Sequence, residues 1–549
     1  MISIDQNCHT LWDVPAKLDA LARAGRGGVH YIEDIDSAFT ALGSAVDADD
    51  LRLAPERFHR SGGADWGAAL FYTEFLGRVP VEVRDWEPLT GLKTNVLAKR
   101  LGRTVDDLYD AFSPSDNWQL IGSSFVGDRR HHRVIGDLGV AETAAFVRQL
   151  LDVARADLLR AFPAAASRRR VGEWLDAEQA RVELLLGELA GAPLVELYRR
   201  WLGEHLPESI GLDLTSRLFS CAAPPASADE RGPGTRLMDV FLTDYDRAAG
   251  LYNEAVAETG VRLRPLQVAD GEMPFFATVD HRGRLVRTGI FRRGGRLRIG
   301  DREFGAPPGG GALCESFGNQ GVRCIAGKAA VLVSQVRLGP GGDALAVPYR
   351  GSLYMPAAHR FARKLAAAGL LGGELKPVLR VRLRLLDRLR SLATPIRLPA
   401  HLAAAFGAEE IPARRLGEHH ADVAAEAGGR LAAFRDASAR ERWQRESFPE
   451  IVDEIAGLDN RRREIAPRDP KAPELREIWK RSRGLAAELL DRTVRQIDRD
   501  TQVAELGYYD SRGAILPWCV ALGGEAFYNE VVANAEIYEE HSLRAEADE

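Results

Sequence analysis

Apolar residues recur along this chain with two different periods, and the changes from one to the other divide it into units. Between Val140 and Leu206 the period is helical: Phe146, Leu150, Val153 and Leu158 form one stripe, and Trp174, Val182, Leu185 and Leu189 a second. Two-residue alternation takes over from Phe275 to Phe304, FFATVDHRGRLVRTGIFRRGGRLRIGDREF, where His281-Arg282-Gly283 and Arg293-Gly294-Gly295 separate short β-type runs. That pattern predicts a meander of hairpins, with Arg296 and Arg298 on one face of a strand and Leu297 and Ile299 on the other. Alternation returns in KPVLRVRLRLLDRLRSL, Lys376 to Leu392, where Val378, Val381, Leu383 and Leu385 fall against Arg380, Arg382 and Arg384. Beyond Pro399 the period is helical again: Leu475, Ile478, Trp479, Leu485, Leu489, Val494 and Ile497 predict a helical hairpin or short coiled coil, turning at Pro467, Pro470 and Pro473.

Shorter signals fill in the rest. Asp13 and Pro15 start a helix that Gly25, Gly27 and Gly28 end, and VHYI, Val29 to Ile32, reads as a strand. A helix is expected around Ser37 to Ala45, another over Ala64–Phe75 stopped by Gly77, and a strand in VPVEV, Val79 to Val83. Helices follow over Asn95–Leu101 and from the Thr104/Asp107 cap to Phe112. Strands are expected in Gly211–Phe219, Val261–Val268 and Leu345–Tyr349, and helices in Leu237–Glu258, Lys328–Leu338, Met355–Ala368 and Glu525–His541. The Pro, Gly and charge mix of Cys221 to Gly234 reads as a linker. The expected fold is α/β: a Rossmann-like core with helical insertions, a small β-meander and a C-terminal helical, coiled-coil-like region. Four units follow: 1–139 and 235–398 as parts of the α/β core, 140–220 as a helical insertion, and 399–549 as the helical domain.

Composition narrows the class. Of 549 residues, 45% are hydrophobic and 28% charged, and no apolar run approaches the roughly 18 residues of a membrane span. MISIDQNCHTLWDVPAK lacks the basic-then-apolar order of a secretory signal, so a soluble cytoplasmic protein is expected. The 5 cysteines, Cys8, Cys221, Cys314, Cys324 and Cys519, have neither disulfide-framework nor zinc-ribbon spacing. His131 and His132 cannot point the same way from one extended segment, so no metal site is expected. A net charge of −6 argues against a whole-protein nucleic-acid binder and leaves room for a local basic patch. Lysines are scarce beside arginines, which gives Lys93 added weight.

The densest polar stretch is Arg57 to Thr94, RFHRSGGADWGAALFYTEFLGRVPVEVRDWEPLTGLKT. Ser61, Gly62 and Gly63 let backbone amides turn toward an anion, and the helix expected from Ala64 adds its positive end. His59, Asp65, Asp85, Glu87 and Lys93 bracket this loop and the next. In this candidate site Ser61, Gly62, Gly63 and Asp65 bind substrate, Asp85 or Glu87 holds an ammonium group or acts as base, His59 shuttles a proton, and Lys93 stabilises developing charge. Arg380 and Arg382 add guanidinium groups for a phosphate or carboxylate. The competing explanation is a surface turn and a strand face with solvated charges.

Two segments carry a resemblance: LYNEAVAETGVRLRPLQVADGEMPFFATVDHRGRLV, Leu251 to Val286, and LAVPYRGSLYMPAAHRFARKLAAAGLLGGELKPVLRVRLRLLD, Leu345 to Asp387. In order of elements they resemble the bacillithiol-synthesis cysteine-adding enzyme family, which combines a Rossmann-type core with a C-terminal helical coil; none of that family's catalytic residues is matched. Arg57 to Thr94 also looks like the first crossover of a class I aminoacyl-tRNA synthetase-type core, with His59 where that signature has a histidine pair. These resemblances imply a small-molecule biosynthetic enzyme that joins an amino-acid-like group to an amine-type acceptor, using ATP or another nucleotide. The alternatives are a non-catalytic nucleotide- or metabolite-binding module and a helical assembly protein. A homodimer through the C-terminal helices is expected, with no membrane and no nucleic-acid partner.

Overall fold

The computed structural model describes residues 1–4, 11–36, 69–71, 73–79, 83–112, 119–120, 132–221, 233–261, 263–305, 317–318, 320–339, 341–352 and 354–542. They form a mixed α/β protein, and no helix among them is long and apolar enough to cross a membrane. The principal sheet has 6 strands: β1 (Ile2–Ile4), β2 (Gly28–Ile32), β3 (Ile210–Leu214), β4 (Leu345–Pro348), β5 (Val378–Arg382) and β6 (Glu536–Glu540). Their spatial order is β3-β2-β1-β4-β5-β6. β3 through β5 run parallel, and β6 closes the edge antiparallel to β5. Parallel neighbours require long crossovers. The chain places its helical insertion between β2 and β3, and its second sheet between β3 and β4.

Register explains how the sheet is buried. Ser3 lies beside His30 and Ala346, and Ile4 beside Tyr31. Because successive side chains point to opposite faces, Ile2, Leu345 and Val378 enter one core, and Ile32, Ala346, Leu379 and Val381 the other. Covering both faces is what a parallel sheet demands. On one side lie α1 (Val14–Arg23), the helices Val140–Ala161, Ala165–Glu188 and Leu194–Gly203, and Ile515–Gly523. On the other lie α2 (Tyr245–Thr259), α3 (Met355–Ala367) and the second sheet.

That second sheet contains the expected meander. Arg302–Gly305, Arg296–Ile299, Arg284–Arg293, Glu272–His281 and Val322–Gly327 lie side by side in that order, all antiparallel. Its two tight turns use positive φ at both central residues, +50 and +77 at Arg282-Gly283 and +53 and +76 at Gly294-Gly295. Turns of this hand match the twist of the flanking strands.

The C-terminal helices include α4 (Ala413–Phe434), α5 (Pro449–Ile465) and α6 (Pro473–Ala504). α5 and α6 form the expected hairpin around a turn that holds Pro467 and Pro470. Arg481 spans its legs to both Glu454 oxygens at 2.6 and 3.0 Å, and Arg461 reaches Glu474 at 2.9 Å. Ile478, Leu485, Val494 and Ile497 are buried within the chain, so that part of the apolar stripe is consumed by intramolecular packing. Val494 and Ile497 share a small core with Phe434 and with Trp86, Leu97, Leu108 and Phe112, which docks residues 83–112 onto the helical region.

Several expected elements are corrected. Within Ala64–Phe75, Ala69–Phe71 is a strand paired with Gln119–Leu120, and 73–75 are not helical. Val83 opens a 3-10 turn that buries Trp86, where the end of a strand was expected. No strand forms in the described part of Val261–Val268, because the Asn253 side chain takes both backbone groups of Leu266, at 2.7 and 3.0 Å. The strand expected to Phe219 stops at Leu214: Thr215 begins a short helix and donates its hydroxyl to the Ile32 carbonyl at 3.1 Å. The helix expected over Glu525–His541 stops at Ala533, and Glu536–Glu540 becomes β6. The helix around Ser37–Ala45 lies outside the described residues.

Candidate functional site

The strand order reverses between β1 and β4, since the chain runs outward from β1 to β3 and then returns to β4 on the other side. At such a point the two connections leave in opposite directions and open a crevice beyond the carboxyl ends of the strands. A cleft lies there, bordered by Ile4 at the end of β1 and Pro348 at the end of β4. Asp13, Val14 and Lys17 at the start of α1 line one side, and Gly351, Ser352 and Tyr354 before α3 line the other, with Arg512 from the C-terminal region. Two helix starts therefore border the cleft, each presenting the positive end of its dipole.

The polar groups are held in place. Lys17 is 8% exposed. Asp13 accepts the Gly513 amide at 3.1 Å, and burial pushes its carboxyl up against the opposing pull of Arg512, Lys17 and that amide. Gly513 has φ +106, and a Cβ there would stand 2.1 Å from the Trp518 ring, so the turn carrying Arg512 admits only glycine. Beneath Lys17 the Ser3 hydroxyl meets His30 Nδ1 at 2.9 Å. Burial, and then the charge of Lys17, hold His30 well below its usual pKa; the imidazole is neutral, and its Nε2 has no hydrogen-bond partner. Ser352 sits at φ +62 with its hydroxyl oxygen buried and unpartnered. A non-glycine residue held in that region is a strained position imposed by its surroundings.

A second acidic group lies at the same end of the sheet, after β2. Glu33 and Asp34 are both buried. Asp34 accepts the Ser216 amide at 2.8 Å and its hydroxyl as well, while Glu33 accepts the Ile35 amide at 2.9 Å. Burial, then Asp36 and Asp34, push the Glu33 carboxyl well above the usual range.

The residues singled out from the sequence fall elsewhere. His59, Ser61, Gly62, Gly63 and Asp65 lie outside the described residues, as does His131. Asp85 is exposed on the Val83–Trp86 turn. Lys93 donates to Glu87 at 2.7 Å, and Glu87 also accepts the Thr94 amide at 2.8 Å and hydroxyl at 2.9 Å, so the pair caps the helix Thr94–Arg100. Lys93 hydrogen bonding, followed by the Thr94 amide, lowers the Glu87 pKa to about 2. Arg380 pairs with Glu540 and donates to the carbonyls of Tyr349 at 2.9 Å and Gly351 at 3.1 Å. Arg382 donates to Asp510 at 3.1 Å and lies 4.9 Å from the Tyr349 ring centroid. Arg384 holds Asp387 at 2.7 Å and Glu536 at 2.8 Å. The basic alternation of β5 thus meets carboxylates, two of them on β6, and Arg380 braces the loop beside the cleft. No hydrogen bond or ion pair joins Glu87 or Lys93 to Arg380 or Arg382. Among the described residues no group of three or more His, Cys, Asp and Glu side chains is placed to hold a metal ion.

Lys17, Arg512 and Ser352 carry no motif, which is why the sequence alone does not single them out. The scarcity of lysine that favoured Lys93 applies equally to Lys17. Comparison of the chain with protein-family profiles, with curated proteins and with solved structures finds no match in any of the three.

Proposed function

We propose that this chain binds an anionic small molecule, of the nucleotide or acyl-carboxylate class, in the cleft between the carboxyl ends of β1 and β4. The observation that carries this reading is the coincidence of the strand-order reversal with a cleft lined by Lys17 and Arg512. The order β3-β2-β1-β4-β5-β6 is that of doubly wound nucleotide-binding sheets, which supports a Rossmann-like core; the antiparallel β6 departs from it. The connection after β1, DQNCHTLWD, has no glycine, so the G-x-G-x-x-G cradle for a pyrophosphate is missing. Side-chain cations therefore carry the anion in this proposal, with the Ser352 hydroxyl as a further donor.

Within the same proposal the reaction is the one the resemblance implies: an amino-acid-like group is joined to an amine-type acceptor, with ATP or another nucleotide as cosubstrate. Lys17 and Arg512 orient the anionic group, and the Asp13 carboxylate, on which both charges act, lines the same cleft. A homodimer through the C-terminal helices would use surface other than Ile478, Leu485, Val494 and Ile497, which are buried within the chain.

Calorimetric titration of the full chain with ATP, ADP, AMP and free amino acids tests the proposal. Binding by at least one of them, weakened about tenfold or more in Lys17→Met and Arg512→Met, is expected from loss of a charge-assisted contact worth roughly 1.5–3 kcal/mol. Equal affinity in both variants, or no binding across the panel, overturns the assignment. Product formation from a bound amino acid and an amine separates an enzyme from a binding module.

A further inference from the structure

The first half of α6 carries a face that the rest of the described molecule leaves uncovered. Arg476, Trp479, Lys480 and Arg483 are all exposed. At about 100° per residue they fall within one arc of roughly 100° on the helix. Glu474 and Glu477 lie outside that arc, whereas the buried Ile478 and Leu485 mark the inward side. Trp479 is 57% exposed, and the Arg483 guanidinium stands 5.3 Å from its ring centroid.

Nearby carboxylates do not neutralise this face. Glu454 is taken by Arg481, and Glu474 by Arg461. Among the described residues Arg463, Arg468, Lys471, Arg476, Lys480 and Arg483 form no ion pair. From Arg461 to Arg483 there are nine Lys and Arg against four Asp and Glu, in a chain whose net charge is −6. The turn end of the hairpin, from Arg461 to Arg483, is thus a local basic surface on an acidic protein.

We propose that this face binds single-stranded nucleic acid without sequence preference. Arg476, Lys480 and Arg483 contact successive phosphates, and Trp479 offers a ring on which a base stacks. A second copy of the chain does not fit, because a two-fold contact would bring two like-charged faces together. An acidic peptide satisfies the charge and leaves the indole without a matching planar group.

Fluorescence anisotropy of the full chain with labelled oligouridine, and separately with labelled polyglutamate, across a salt series tests this. Oligouridine is expected to bind with an affinity that falls linearly with salt on logarithmic axes. Arg476→Ala/Lys480→Ala/Arg483→Ala reduces that slope by about 2, at roughly 0.7 per phosphate contact. Trp479→Ala weakens binding about tenfold or more, and Trp479→Phe retains most of it, since stacking survives in the smaller ring. Circular dichroism identical to wild type shows that the variants keep their helices, as substitutions at exposed positions should. Absence of oligouridine binding, an unchanged salt slope in the triple variant, wild-type affinity in Trp479→Ala, or equal binding of polyglutamate each overturns the proposal.

Discussion

Glu178 joins the helical insertion to the start of α1, and replacing it gives a prediction whose size follows from the contacts. Its Oε2 accepts the indole N–H of Trp201 at 2.8 Å and of Trp12 at 3.3 Å, and lies 3.0 Å from His205 Nε2; Oε1 takes Arg181. Both indoles are 0% exposed. Trp12 directly precedes Asp13, so this contact fixes the entry to the cleft. Glu178→Ala removes the acceptor used by two buried donors, at about 1–3 kcal/mol each, and loss of the partly exposed Arg181 partner adds little. A loss of about 3–4 kcal/mol is expected. Glu178→Gln keeps one acceptor oxygen for the indoles and gives up the charge and the acceptor that Arg181 uses, for about 1 kcal/mol.

Native-state hydrogen exchange of peptides covering 11–23 and 165–188 reads these values without assuming all-or-none unfolding of so long a chain. Equal protection in wild type and Glu178→Ala would refute the account. Burial pushes the Glu178 carboxyl up, but the hydrogen bond and charge of His205, the Trp201 indole and Arg181 outweigh it, so its pKa lies below the ordinary glutamate value of 4.5. The unfolded chain therefore binds the proton more tightly. The contribution is fully present above about 4.5 and is lost as pH falls through the depressed folded value. Protection in 11–23 should fall more steeply in wild type than in Glu178→Gln over that range.

Further expectations concern other parts of the chain. Gly513→Ala combines φ +106 with a Cβ 2.1 Å from Trp518 and is expected to lower the melting temperature by several degrees in a calorimetric scan, for a cost of roughly 2 kcal/mol or more. Lys93→Ala changes stability by less than about 0.5 kcal/mol, because Lys93 is 79% exposed, whereas Glu87→Ala costs about 1 kcal/mol through the lost Thr94 cap; urea midpoints distinguish them. Burial pushes the Cys324 thiol up to about 12 and raises that of Cys519, so both resist a maleimide at neutral pH in the native protein and react on unfolding, as mass mapping of the labelled peptides would show.

Patterns that repeat within one element were legible in the sequence. The stripe through Leu150 and Leu158, the glycine turns at Gly283 and Gly295, the prolines between α5 and α6, and the alternation at Val378 to Arg382 each specify local geometry, and the corresponding elements formed. MISI is too short for a periodic signal, yet Ile2–Ile4 is a central strand, because β2 and β4 supply its ladder from either side. EIYEE resembles the end of the preceding helix, yet it becomes β6 because Arg380 and Arg384 on and beside β5 offer partners to Glu540 and Glu536.

The candidate site divides in the same way. Glycines and charges clustered in sequence drew attention to Arg57–Thr94, where Glu87 and Lys93 satisfy a local cap. Lys17, Ser352 and Arg512 come together only because a sheet that winds outward in both directions from β1 and β4 must leave a cleft at the point of reversal. Local propensity and side-chain period are properties of neighbouring residues, so the sequence determined most helices, hairpins and turns, except where pairing with distant strands overrode them, as at Ala69–Phe71 and Glu536–Glu540. Strand order and long-range ion pairs depend on residues hundreds of positions apart, and only tertiary structure decided which charges face each other and which face the cleft.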